Sequence, residues 1–110
     1  MKGTNLGEFE EIVLLAAAVL HSKAYAVNLT GEIEQQADRK VHISAVQAAL
    51  YRLEEKSFLR SELGDATAER GGKRKRLFYV TPYGVKALQA AQKLRQRMGA
   101  QIPLIVLQGN

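Results

Sequence analysis

The chain of 110 residues has no cysteine, no tryptophan and only two histidines, and it carries no acidic residue after Glu69. Without cysteine there are no disulfides, thiolate metal sites or cysteine nucleophiles, a composition that suits a reducing cytoplasm. His21 and His42 have no Cys, Asp or second His at ligand spacing, so they read as structural residues and no metal or other cofactor is expected. Long apolar runs are also missing: Ile12 to Leu20 spans nine residues, about half of what a membrane span needs. Ala24-Tyr25-Ala26 could pass for a cleavage site after that run, but Glu8, Glu10 and Glu11 stand where a signal peptide carries positive charge. No phosphate-binding glycine loop, HExxH pair or nucleophile elbow is present. Glu54 and Glu55 are adjacent, so they do not share a helix face as an acid/base pair. These absences together leave no residues for an enzyme.

What remains is ordinary globular composition, 46% apolar and 25% charged, on a length that forms one domain with a modest core. Pairing is a common way for so small a domain to complete its core. Charge is unevenly spread. Residues 1–69 carry seven Lys/Arg against eleven Asp/Glu, whereas residues 70–110 carry nine Lys/Arg and no acid. A one-sided basic region is the electrostatic footprint of a polyanion partner.

Along the chain, Asn5 and Glu8 have capping-box spacing for a first helix. Phe9, Ile12, Val13, Leu15, Ala16, Val19 and Leu20 leave that helix almost no polar face. It must therefore be covered on both sides, the second side by another subunit. A second helix is expected over 26–37, with Ala26, Leu29, Ile33 and Ala37 on one stripe and Gly31 as its weak point. Val41-His42-Ile43 reads as a short extended connector. Ser44 as N-cap and Gln47 three residues on predict a third helix to Lys56, with Val46, Leu50 and Leu53 on its apolar face. Two strand-like segments follow, Phe58–Leu63 and Lys75–Val80, flanking a polar stretch in which Gly71-Gly72 suits a hairpin tip. Thr81-Pro82 reads as N-cap and first residue of a fourth helix to Met98. Ala87, Ala91, Leu94 and Met98, with Leu88 beside them, form a heptad-like seam suited to a partner helix.

The order α-α-α-β-β-α is that of a winged helix-turn-helix, mainly α with a small β-hairpin. The expected division is a winged-helix unit over 1–81, a dimerisation helix over 82–98 and an apolar tail over 99–110. In such a fold the recognition helix, here Ser44 to Lys56, enters the DNA major groove. Gln47 can pair with adenine, Ser44 can touch a base or phosphate, and Arg52 can reach guanine or the backbone. Tyr51 offers a hydroxyl and a ring, and Ala45 and Ala48 permit close approach. The strongest single feature is Arg70-Gly71-Gly72-Lys73-Arg74-Lys75-Arg76, five cations in seven positions at the expected wing. Such crowding of like charge weakens a hairpin unless phosphates neutralise it.

Leu6-Gly7-Glu8-Phe9-Glu10-Glu11-Ile12-Val13-Leu14-Leu15, then Ala24-Tyr25, Ala49 to Lys56, Glu69 to Tyr79 and Thr81-Pro82-Tyr83-Gly84 together resemble the signature stretches of the PadR family. The resemblance runs from residue 6 to about 95. It implies a winged-helix homodimer, usually a repressor that leaves a palindromic double-stranded DNA operator when a small molecule or other signal is sensed. It places a junction residue at Tyr25 and dimerisation on the first and fourth helices, through Phe9, Ile12, Val13 and Ala16 and through Ala87, Leu88, Ala91, Leu94 and Met98. The chain departs from the family in three ways. Ala26 stands where glycine is common. No tryptophan is available for the mode in which some short members hold flat hydrophobic compounds. The fourth helix gives way near Gly99 to the tail Ile102-Pro103-Leu104-Ile105-Val106-Leu107, which is expected to pack against the dimer. The alternatives are a winged-helix protein-interaction module and a non-specific nucleic-acid-binding protein.

Overall fold

A computed structural model describes residues 6–64 and 74–109. Its order is α1 (Glu8–Leu20), a 3-10 turn (His21–Lys23), α2 (Ala26–Ala37), α3 (Ile43–Glu55), β1 (Leu59–Leu63), β2 (Arg76–Val80), α4 (Pro82–Ala100) and a one-turn α5 (Leu104–Leu107). The expected α-α-α-β-β-α winged helix-turn-helix is what forms, with α5 added. Among the described residues no helix is long and apolar enough to cross a membrane.

Three helices and the hairpin base enclose one core. Val13, Leu14 and Ala17 of α1, Leu29 and Ile33 of α2, and Val46, Leu50 and Leu53 of α3 are all buried, together with Phe58 and Leu59 where the chain enters β1. Burial of this apolar surface is the main force ordering the body. The two strands pair antiparallel in the register Leu59↔Val80 to Leu63↔Arg76. The Phe78 N–H also donates to the Ala24 carbonyl at 3.1 Å. That bond fixes the hairpin base to the α1–α2 junction.

Local chemistry explains the helix ends, and corrects two of them. α1 begins after Gly7, without a side-chain cap, so the reading of an Asn5–Glu8 box fails; Asn5 itself lies outside the described residues. Glu8, Glu10 and Glu11 do fall in its first turn, where the helix dipole favours negative charge. α3 starts at Ile43 after His42, also without a side-chain cap, so Ser44 is inside the helix rather than its N-cap. The preceding loop is held by Glu34, whose carboxylate accepts the Val41 N–H at 3.1 Å, and by Arg39, which pairs with Glu8 at 3.0 Å. The N-cap therefore falls two residues before the expected Ser44. At the other end of α3, Ser57 takes a left-handed φ of 66°. The Phe58 N–H then returns to the Leu53 carbonyl at 2.9 Å, closing the helix in the manner usually left to glycine.

The start of α4 follows the sequence closely. Thr81 Oγ1 accepts the Gly84 N–H at 2.9 Å and donates to the Ser57 carbonyl at 2.6 Å, so one hydroxyl caps α4 and ties it to the end of α3. Gly84 is needed for space. A Cβ there would collide with the Phe58 carbonyl oxygen and lie 2.9 Å from Val80 Cγ1.

Burial also corrects the expected dimer face. Val13, Ala16, Ala87, Leu88 and Ala91 are buried within the single chain, because α4 lies on α1 of its own body and uses these small side chains to approach it. Phe9 and Ile12 are half-buried, and Leu94 and Met98 are exposed. Every residue from Gln92 to Gly109 is exposed, α5 included, so none of this stretch belongs to the core. The principal extents are 59 × 30 × 19 Å and the radius of gyration 16.5 Å, against roughly 13 Å for a compact chain of about this length.

Candidate nucleic-acid interface

Three elements converge on one groove. The N-terminus of α2 contributes Tyr25, Ala26 and Val27, α3 contributes Ile43, Gln47 and Leu50, and the approach to β2 contributes Arg74, Lys75, Arg76 and Phe78. Its volume is about 810 Å³. The floor is apolar and one wall is cationic. The exposed face of α3 borders it: Ser44, Ala45, Gln47, Ala48 and Tyr51 are all solvent-exposed, Tyr51 at 65%. They lie away from the Val46, Leu50 and Leu53 stripe because 100° per residue separates the two sets.

The cationic wall is held in place by neutral and aromatic partners. Arg74 Nε donates to the Gly64 carbonyl at 2.8 Å, and Arg76 Nη1 donates to Ser61 Oγ at 3.0 Å. Lys75 Nζ lies 4.8 Å from the centre of the Tyr25 ring, a cation–π distance. Among the described residues, no ion pair involves Arg74, Lys75 or Arg76, whereas Arg39, Arg52, Lys56, Arg60 and Arg95 each have a carboxylate partner. Arg70, Gly71, Gly72 and Lys73 lie outside the described residues.

Arg52 differs from the sequence reading. Its Nε donates to Glu10 at 2.7 Å, and Lys56 Nζ reaches the other oxygen of the same carboxylate at 2.7 Å. Glu10 is 7% exposed. Burial pushes its carboxyl pKa up, but the hydrogen bonds from Lys56 and Arg52 and the Lys56 charge outweigh that and hold it below the usual range. Arg52 therefore bolts α3 to α1, and much of its charge is answered within the chain. A parallel link joins Glu11 to Arg95 of α4 at 2.9 Å. Successive carboxylates on α1 thus hold α3 on one side and α4 on the other.

Glu10 and Glu11 were legible in sequence only as favourable first-turn charge. Nothing in local spacing pairs them with residues about 42 and 84 positions away. Val27 and Ile43, exposed at 61% and 40%, add apolar surface to the groove that the sequence reading missed. An apolar residue at a helix start looks like core until neighbours are known. Tyr25 was expected at a junction on family likeness; in the structure it precedes α2 and its ring carries Lys75.

This arrangement is a winged helix: a helix-turn-helix pair followed by a hairpin whose base flanks the second helix. No family model and no curated protein matches the chain. Solved structures do match. A PadR-like transcription factor from Bacteroides fragilis aligns at TM-score 0.70 and 20% identity, over 84% of this chain and 84% of its own. A PadR-family transcriptional regulator from Eggerthella lenta aligns at TM-score 0.70 and 19% identity, over 94% and 88%. F93 of STIV, described as a winged-helix DNA-binding protein, aligns at TM-score 0.65 and 15% identity, over 84% and 92%. The chain shares the fold of these proteins.

Proposed function

We propose that this chain is a sequence-specific DNA-binding transcriptional regulator of PadR type, working as a two-fold dimer and repressing until a small molecule or other signal releases it. One observation carries the reading: the exposed face of α3, the start of α2 and three cations, Arg74, Lys75 and Arg76, which form no ion pair among the described residues, surround a single groove. Gln47, Ser44 and Tyr51 read bases or phosphates while Ala45 and Ala48 permit close approach, and Arg74, Lys75 and Arg76 hold the flanking backbone. Arg70, Gly71, Gly72 and Lys73, next to these cations in sequence, belong to the same proposed DNA contact. The likeness to solved transcription regulators supports this choice over a protein-interaction module. Nothing about the groove calls for a catalytic step.

A two-fold pair presents its recognition helices roughly 34 Å apart and favours a palindromic operator. With about four phosphates neutralised per protomer, the log–log salt slope is near about −7. The test is fluorescence-anisotropy binding to DNA upstream of the protein's own gene, against a scrambled duplex, at two salt concentrations. The expected result is specific binding tighter by a factor of about 10³ or more. Equal affinity for both duplexes would indicate non-specific binding. A slope shallower than about −2 would remove the wing as an electrostatic clamp.

A further inference from the structure

One side of the body carries an apolar groove that the DNA-binding reading does not use. Ile12, Leu15, Ala16 and Val19 of α1 face Ile33 and Ala37 of α2 across a cleft of about 310 Å³. Val19 is 63% exposed at its edge. The rim is polar and acidic: Gln36 Nε2 donates to the Glu32 carboxylate at 2.8 Å, and Glu8 lies one turn before Ile12 on α1.

The same chain ends in an arm with the opposite character. Leu104, Ile105, Val106 and Leu107 form α5 and are exposed at 73%, 65%, 62% and 62%. Met98 at 62% and Leu94 at 44% continue this surface up α4. Lys93, Arg95 and Arg97 accompany it, and residues 70–110 contain no acid. Contiguous exposed apolar surface of this kind marks an interaction site.

The arm does not fill the groove of its own body. Val19 remains open to solvent and α5 is exposed on all four residues. Arg95 is fixed to Glu11, near the start of α1, and α4 continues from there to Ala100 with only Gln101, Ile102 and Pro103 before α5.

We propose that α5 of one chain docks into the α1–α2 groove of a second copy, in a reciprocal exchange. Apolar side chains meet apolar walls, and Lys93 and Arg97 of the arm bring positive charge toward the Glu32 edge of the groove. A two-fold axis makes the exchange occur twice, so both exposed surfaces of both chains are covered by one operation. This docking rests on the dimer reading above and is independent of DNA binding.

Because the chain has no native cysteine, the contact is tested by paired substitutions in the full-length protein. Val19→Cys and Ile105→Cys chains are prepared separately, mixed and oxidised, with sedimentation of the wild type run alongside. The expected product is a disulfide-linked pair of twice the 12.2 kDa chain mass, formed at least ten-fold faster in the mixture than in either chain alone. In the wild type, Val19→Asp should weaken dimerisation at least ten-fold while leaving the circular-dichroism spectrum unchanged, since Val19 lies outside the core. A dimer by sedimentation without the mixed crosslink overturns the docking and leaves the dimer standing. A monomer at all concentrations overturns both. A Val19→Cys/Ile105→Cys double variant that closes within one chain shows the tail on its own body and overturns the exchange.

Discussion

The body of this protein and its C-terminal arm are built from similar residues but satisfy them differently. Every buried apolar residue among those described lies between Val13 and Ala91, and no described residue from Gln92 onward is buried. In the body, helices are short and gain their order from packing against one another. In the arm, Gln, Lys, Arg, Ala, Leu and Met are strong helix formers that extend α4 without a neighbour. Exposed aliphatic residues on a helix that needs no core point to a partner rather than to the fold.

The joint between the two regions is where the largest effect is expected. Gly84→Ala places a methyl against the Phe58 carbonyl and Val80, and backbone cannot yield as a flexible side chain can. It should destabilise the protein by about 3 kcal/mol, the upper part of the overpacking range, as read from chemical denaturation. A loss below about 1 kcal/mol would mean that α4 can lift from the body freely, and the distinction between body and arm would then begin at Pro82.

Within the body, Glu10 is the next most sensitive point. Glu10→Gln keeps the volume and removes the charge that holds Arg52 and Lys56. The loss should be about 1–2 kcal/mol, less than for a fully buried pair because the side chains of Arg52 and Lys56 are 48% and 28% exposed. The pH dependence follows from the direction of the shift. A carboxyl whose folded pKa is depressed contributes stability above its unfolded value, and that contribution is lost as pH falls through the folded value. The Glu10 value is lowered from 4.5, so wild type and Glu10→Gln should differ at neutral pH and converge in acid below that point. Melting curves at neutral and acid pH measure this directly. If the DNA binding proposed above weakens in Glu10→Gln at fixed fold, the bolt also positions α3 for that contact.

Most of the fold was readable because periodicity and local chemistry agree with tertiary contacts. Leu29 and Ile33, Val46, Leu50 and Leu53, and the Thr81-Pro82-Tyr83-Gly84 turn all carry their structural role in neighbouring residues. The candidate site was readable to the extent that it is an exposed polar helix face plus a run of cations. What was not readable depends on distant partners. Arg52 looks free in sequence, and only the fold brings Glu10 to it. Ala87 and Ala91 look like part of a seam for a second chain, because a heptad pattern does not say whether its partner is α1 of the same molecule or another copy. Ser44 looks like a cap, but the Glu34 and Arg39 contacts start the helix earlier.

A smaller effect of opposite sign tests the body's weakest helix. Gly31 lies in the middle of α2 with open space where a Cβ would go. Gly31→Ala should therefore stabilise the chain by about 0.5–1 kcal/mol, through helix propensity and a less flexible unfolded state. A destabilisation on thermal melting would show that this exposed face of α2 is covered in solution, which would extend the covered region beyond the α1–α2 groove.

The smallest effect is also the one that separates the two regions most sharply. Leu94→Ser and Met98→Ser remove apolar surface that lies outside the core of the single chain, and a surface change of that kind is worth less than about 0.5 kcal/mol. That near-neutral result should hold in dilute protein, where monomers dominate. As concentration rises, the wild type gains stability by mass action from its partner and the variants do not. The two melting temperatures should then separate with concentration, by an amount that body substitutions such as Gly31→Ala do not reproduce. If the gap stays constant over a hundred-fold range, the arm contributes the same in one chain as in two, and its exposed residues belong to neither a core nor an interface.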